Sequence, residues 1–148
     1  MNPYLTKKDR KAMAEAKTFV ELGVIAVEVL QRIGEKTVPK LIGQVCGPIT
    51  TGGLGSIEAN LNEFSKWIKI LQGRSLAIFD QIPFEEHLFR IWKKSGHNDS
   101  NLLEEFYIPI FESGIVKTLY FIPGWSKSNG AMWEHRQAVR LKLTIDYL

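Results

Sequence analysis

The stretch Val116-Lys117-Thr118-Leu119-Tyr120-Phe121-Ile122-Pro123-Gly124-Trp125-Ser126-Lys127-Ser128-Asn129-Gly130-Ala131-Met132-Trp133-Glu134 decides the reading of this chain. Val116 to Ile122 is a short apolar run of the kind that forms a buried strand. Pro123 to Gly130 is rich in turn formers, and helix-forming sequence continues from Ala131 to about Arg140. Leu141, Leu143, Ile145 and Tyr147 then alternate with polar residues, which marks a last strand. Strand, loop, helix, strand is one unit of a parallel sheet.

The same texture extends back to Lys40. Leu41 to Cys46 reads as a short strand, followed by the loop Gly47-Pro48-Ile49-Thr50-Thr51-Gly52-Gly53-Leu54-Gly55 and a helix capped by Ser56. Ile57, Leu61, Phe64, Ile68 and Leu71 are spaced 4, 3, 4, 3, the apolar stripe of an amphipathic helix. Gly73 ends it, Ser75 to Phe79 makes another strand, and Glu85 to Lys94 another helix. Gly96 to Ser100 is polar loop. Asn101 to about Phe111 is helical, with Pro109 kinking or ending it. The expected architecture is α/β: a parallel sheet of four or five strands with helices on both faces.

The N-terminal part is different. Thr6 and Asp9 have the spacing of a capping box, and one helix is expected from there to Gly34. It carries two apolar stripes, Met13, Ala16, Val20, Val24, Val27 and Phe19, Leu22, Ala26, Val29, Ile33. Thr37 to Lys40 reads as a linker, so residues 1–38 form an added N-terminal helix before an α/β domain at 39–148. If one stripe lies on that domain, the other, beginning at Phe19, is left in water. Such patches are rare on soluble monomers, so a homodimer or higher homo-oligomer is expected through this helix.

Composition narrows the function classes. Of 148 residues, 45% are hydrophobic and 24% charged, the balance of a globular domain. Nineteen Lys and Arg against sixteen Asp and Glu leave +3, too small an excess to imply a nucleic acid polymer. No stretch approaches the roughly 20 apolar residues of a membrane span, and the first residues lack the order of a secretory signal. Asn98-Asp99-Ser100 is then a chance sequon, and a cytoplasmic protein without membrane contact is expected. The single Cys46 excludes an internal disulfide and suits a small buried residue. His87, His97 and His135 show no metal-ligand spacing, so neither metal nor other cofactor is expected.

In parallel sheets ligands sit beyond the carboxyl ends of the strands, and the loops after Cys46 and Ile122 are placed there. The first has glycines and a helix start, which suit an anion, but fits neither the Walker nor the dinucleotide pattern; a mobile turn explains it equally. In the second, Ser128 and Gly130 precede Glu134, which puts hydroxyl and N–H donors beside a carboxylate. Taken alone, Glu134 is more simply explained as an acidic residue complementing a helix dipole. Asp80 reads as a site-rim residue or a turn former, and Trp125 as a base-pocket wall or core. Trp67, Trp92 and Trp133 suit core or interface, and Lys7, Lys8, Arg10 and Lys11 a solvated helix start.

Taken together, Cys46 to Gly53, Asn60, Phe64, Ile122 to Trp125, Ser128, Gly130, Ala131 and Glu134 resemble the nucleoside 2-deoxyribosyltransferase superfamily. The closest likeness is to its small phage and bacterial members and its deoxynucleoside 5′-monophosphate N-glycosidases, from about Pro39 onward. The resemblance implies a flavodoxin-like fold and cleavage of an N-glycosidic bond of a deoxynucleoside or nucleotide. It implies Glu134 as nucleophile, kept ionised by the helix dipole, and Ser128 and Gly130 as 5′-phosphate holders together with Gly47, Pro48 and Ile49. The assisting aspartate usual in the family, on the helix before the third strand, is missing. Leu103-Glu104-Glu105-Phe106-Tyr107 stands there, which leaves Glu104 or Glu105 to replace it. A non-catalytic nucleotide-binding or sensing module is the alternative that this departure suggests.

Overall fold

The strands β1 (Ile42–Cys46), β2 (Ala77–Ile78), β3 (Thr118–Phe121) and β4 (Thr144–Tyr147) form one sheet in the order β2-β1-β3-β4, and every pairing is parallel. The computed structural model describes residues 4–36, 42–49 and 53–148; the expected linker, Leu41, Thr50, Thr51 and Gly52 lie outside them. The helix α3 (Ile57–Gly73) connects β1 to β2, and α7 (Asn129–Leu141) connects β3 to β4. From β2 the chain passes through α4 (Ile82–Lys94), α5 (Asp99–Leu102), a π-helical turn (Leu103–Tyr107) and α6 (Ile108–Glu112) before β3. The fold is α/β with the flavodoxin-like strand order, and its order reverses between β1 and β3.

Side chains alternate across the sheet. Val45, Ile78, Tyr120 and Ile122 pack on Phe64, Ile68 and Leu71 of α3. Ile42, Cys46, Leu119 and Phe121 face the opposite side, with Phe84 and Leu88 of α4 and Ile110 and Phe111 of α6. Phe64, Phe79, Phe84, Phe106, Phe111 and Phe121 are fully buried, and each such side chain contributes about 1.5–3 kcal/mol.

The expected single N-terminal helix is two, α1 (Lys7–Glu15) and α2 (Phe19–Lys36). The Thr6–Asp9 capping box starts α1. Ala16 is extended and ends it, and the carbonyl oxygens of Ala16 and Met13 accept bonds from Arg90 of α4 at 2.9 and 3.2 Å. Thr18 and Glu21 repeat the capping-box pattern: the Glu21 N–H donates to Thr18 Oγ1 and the Lys17 N–H to Glu21 Oε2, both at 3.1 Å. Gly34 does not stop α2, which runs to Lys36.

The second stripe is not left in water. Phe19, Leu22, Ala26, Val29 and Ile33 are 0–2% exposed, in the same core as Ile42, Phe106 and Ile110. The argument for self-association through an exposed face at those residues is therefore corrected: the chain covers that face itself. Val20 and Val24 of the first stripe are the exposed ones. No helix among the described residues is long and apolar enough to cross a membrane.

Pro109 does not end the helical stretch but lies in the first turn of α6, directly after a π-helical turn. A proline cannot bond the carbonyl four residues back and crowds it; that residue is Glu105, inside the π-helical turn. The freed Glu105 carbonyl points at Gly23 of α2, where a Cβ would come within 3.0 Å of it.

Candidate functional site

Both loops singled out in the sequence lie at the strand-order reversal, one after β1 and one after β3. They touch: a Cβ on Gly47 would lie 3.0–3.2 Å from the Ile122 side chain. Gly47 and Pro48 are buried and Ile49 half-buried. Buried Asn60, on the first turn of α3, clips the described ends of the first loop together. Its Nδ2 donates to the Ile49 carbonyl at 2.8 Å and its Oδ1 accepts the Leu54 N–H at 2.9 Å. Gly53, at φ +65°, is in the left-handed region, and a Cβ there would collide with Asn60 and Pro48.

Gly124, at φ +86°, turns the second loop into a short 3-10 stretch, Trp125–Lys127. Ser128 is buried and caps α7, accepting the Ala131 N–H at 3.3 Å; Gly130 is half-buried in the first turn. Trp125 stacks on His135 with ring centroids 4.5 Å apart and 9° between planes, and His135 Nε2 lies 2.7 Å from the Tyr147 hydroxyl. One face of the Trp125 ring is thus occupied by the protein's own histidine. Asp80, after β2, accepts the Ile82 N–H at 3.0 Å and starts α4, the turn-forming arrangement; burial raises its pKa.

Glu134 is 7% exposed, one turn beyond the start of α7, and acts on the Cys46 thiol at the end of β1. Burial raises its pKa to about 8, the neighbouring Cys46 thiol opposes this, and the charge of Glu85 adds to it. The expectation that the helix dipole keeps Glu134 ionised is therefore corrected. Dipole effects fade beyond the first turn, whereas desolvation acts on the whole carboxyl.

Glu85 is the carboxylate that sequence reasoning missed. It sits in the first turn of α4, and the Tyr107 hydroxyl donates to its Oε1 at 3.2 Å. Burial raises its pKa to about 7 against that bond. Tyr107 is pushed well above its usual value by burial and by the charges of Glu85 and Glu134, so it remains a donor. The Cys46 thiol is likewise pushed up by burial and is no thiolate. A run of rings holds the group in place, Phe79 to Phe84 at 5.8 Å, Phe84 to Phe106 at 5.5 Å and Phe106 edge-on to Tyr107 at 4.9 Å.

Glu105 is elsewhere. With Val20, Gly23, Val24, Glu28 and Pro109 it lines a groove along the outer side of α2, and exposed Glu104 is not in the group either. The sequence signal for Glu85 is faint: a glutamate one helical turn after Gln81, behind a strand end. Gln81 Nε2 donates to the Val45 carbonyl at 2.9 Å. Its Oε1, and both amide atoms of fully buried Gln44, have no hydrogen-bond partner among the described residues. Gln44 precedes Cys46 by two and so shares its face of β1.

Compared with protein-family models, curated protein sequences and solved structures, the chain matches none. The reading of the site rests on its own residues. Carboxyls stand on the β2 side (Glu85) and the β3 side (Glu134), and the charge of Glu85 raises Glu134. Tyr107 supplies a proton donor, buried Gln44 and Gln81 hold amide atoms without a partner among the described residues, and two loops stand at the strand ends. No group of three or more His, Cys, Asp or Glu among the described residues is arranged to hold a metal.

Proposed function

We propose that the chain binds a deoxynucleoside or deoxynucleoside 5′-monophosphate between the loops after β1 and β3 and breaks its N-glycosidic bond, by hydrolysis or deoxyribosyl transfer. The observation that carries this reading is the close approach of Gly47 to Ile122, which brings the two motifs of the sequence resemblance together at the strand-order reversal with buried Glu134 behind them. The Glu134 carboxylate would attack the anomeric carbon and hold the sugar as an ester until water or a second base takes it. Gly47, Pro48 and Ile49 would flank the ligand, with Ser128 and Gly130 toward the phosphate. No resident cofactor is needed for these steps.

The raised pKa of Glu134 favours a second reading, a nucleotide-binding or sensing module without turnover, because a neutral carboxyl is no nucleophile. One experiment separates the two. The protein is incubated with deoxynucleosides and their monophosphates, and free base is followed by chromatography at pH 6–9. Turnover that climbs from pH 6 as Glu134 ionises and is lost by at least about a thousandfold in Glu134→Gln is the expected result. Saturable binding without base release establishes the module instead.

A further inference from the structure

The geometry points to Glu85 as the second catalytic carboxyl of this site, delivering a proton to the departing base and afterwards taking one from water. The inference rests on the N-glycosidic reading above and replaces the carboxylate sought at Glu104 or Glu105. Glu85 enters from the β2 side of β1 and Glu134 from the β3 side, which suits groups working on either side of one bond. The Tyr107 hydroxyl, 3.2 Å from Glu85 Oε1, fixes the direction of that carboxyl. The facing titratable groups from the packed elements are Tyr107, Glu134 and Cys46. None of these is cationic, so among the described residues a proton is what neutralises the pair. Burial raises both carboxyls, Glu85 to about 7 and Glu134 to about 8, so the pair shares a proton near neutral pH and reacts only in the form that has Glu85 protonated and Glu134 ionised.

The steps balance as follows. A Glu134 oxygen bonds to the anomeric carbon while the C–N bond breaks and its electron pair goes to the base nitrogen. That nitrogen takes the proton from Glu85, leaving Glu85 as carboxylate. A water oxygen then bonds to the anomeric carbon, its proton passes to Glu85, and the ester to Glu134 breaks. Tyr107 acts as a positioning residue by holding Glu85.

The test uses the full chain with 2′-deoxyguanosine 5′-monophosphate and its N7-methylated counterpart, whose cationic base leaves without a proton. Glu85→Gln is expected to lose release of unmodified guanine by roughly a hundredfold or more. With the methylated nucleotide it should give a burst of about one base per chain, with a glycosyl–enzyme visible by intact mass, because water is no longer activated. Tyr107→Phe, which keeps the ring packing, should lose about tenfold on the unmodified substrate and shift the pH profile. Equal losses on both substrates without a burst overturn the inference as structural damage, and unimpaired release in Glu85→Gln overturns it as well. If the unaltered protein releases base from neither nucleotide, the N-glycosidic reading falls and takes this one with it.

Discussion

Asp9 and Glu134 are both carboxylates buried to within 7% exposure, yet they sit at opposite ends of the titration scale. Arg32 meets Asp9 with two guanidinium nitrogens, at 2.5 and 2.8 Å, and also donates to the Tyr4 carbonyl at 2.7 Å. The Thr6 N–H adds another bond at 2.8 Å, and the Asp9 pKa falls to about 2. Glu134 has a thiol and a like charge for neighbours, and its pKa rises to about 8. Burial opposes ionisation at both sites; a forked cation outweighs it at one, and no cation is present in the group at the other. Asp9 therefore ties α1 to α2, whereas Glu134 is held against the stability of the fold, as groups kept for chemistry commonly are.

The contrast can be broken by mutation and by pH. Asp9→Ala should have the largest effect on stability, about 3 kcal/mol in urea denaturation, because it removes the two charged hydrogen bonds from Arg32 and the Asp9 half of the α1 capping box. The Asp9 contribution is present above the usual 3.8 and is lost as pH falls toward about 2; a stability curve flat across that window would remove the pair from the account. Glu134 has the opposite sign. Its folded form binds a proton more tightly than the unfolded chain, so stability should decline as pH rises from the usual 4.5 to about 8. Glu134→Gln should remove much of that decline and raise the thermal midpoint near pH 8 by several degrees. A lower midpoint there would mean that the carboxylate is better satisfied than its surroundings indicate. Thr6→Ala, which removes the hydroxyl half of the α1 capping box, should cost least, about 1 kcal/mol, with no change in the pH slope between 5 and 8.

How much of this was legible in the sequence depended on the range of the interaction. The Ser56 cap and the stripe from Ile57 to Leu71 could be read because a helix face is a matter of local spacing. The break at Ala16–Thr18 was legible in principle, since Thr18 and Glu21 carry the signature that Thr6 and Asp9 carry, but the continuous apolar stripes concealed it. Glu105 looked inward only under ordinary helical spacing. The π-helical turn before Pro109 adds a residue to that turn, which sends Tyr107 inward and Glu105 toward α2. Nothing local marks Glu85, because its partners Tyr107 and Glu134 come from elements 22 and 49 residues further along the chain.

By itself the sequence determined the alternation of strands and helices, the positions of the two loops, the Thr6 cap and Glu134 as the carboxyl behind the second loop. These follow from periodicity and from the backbone demands of glycine, proline and capping residues, which act within a few positions. Only the tertiary structure decided that α2 belongs to the core, that Glu85 rather than Glu105 acts on Glu134, and that both carboxyls are raised by burial. Those outcomes depend on which surfaces meet and how far water is excluded, and burial shifts a carboxyl by several pKa units wherever no counter-charge arrives with it.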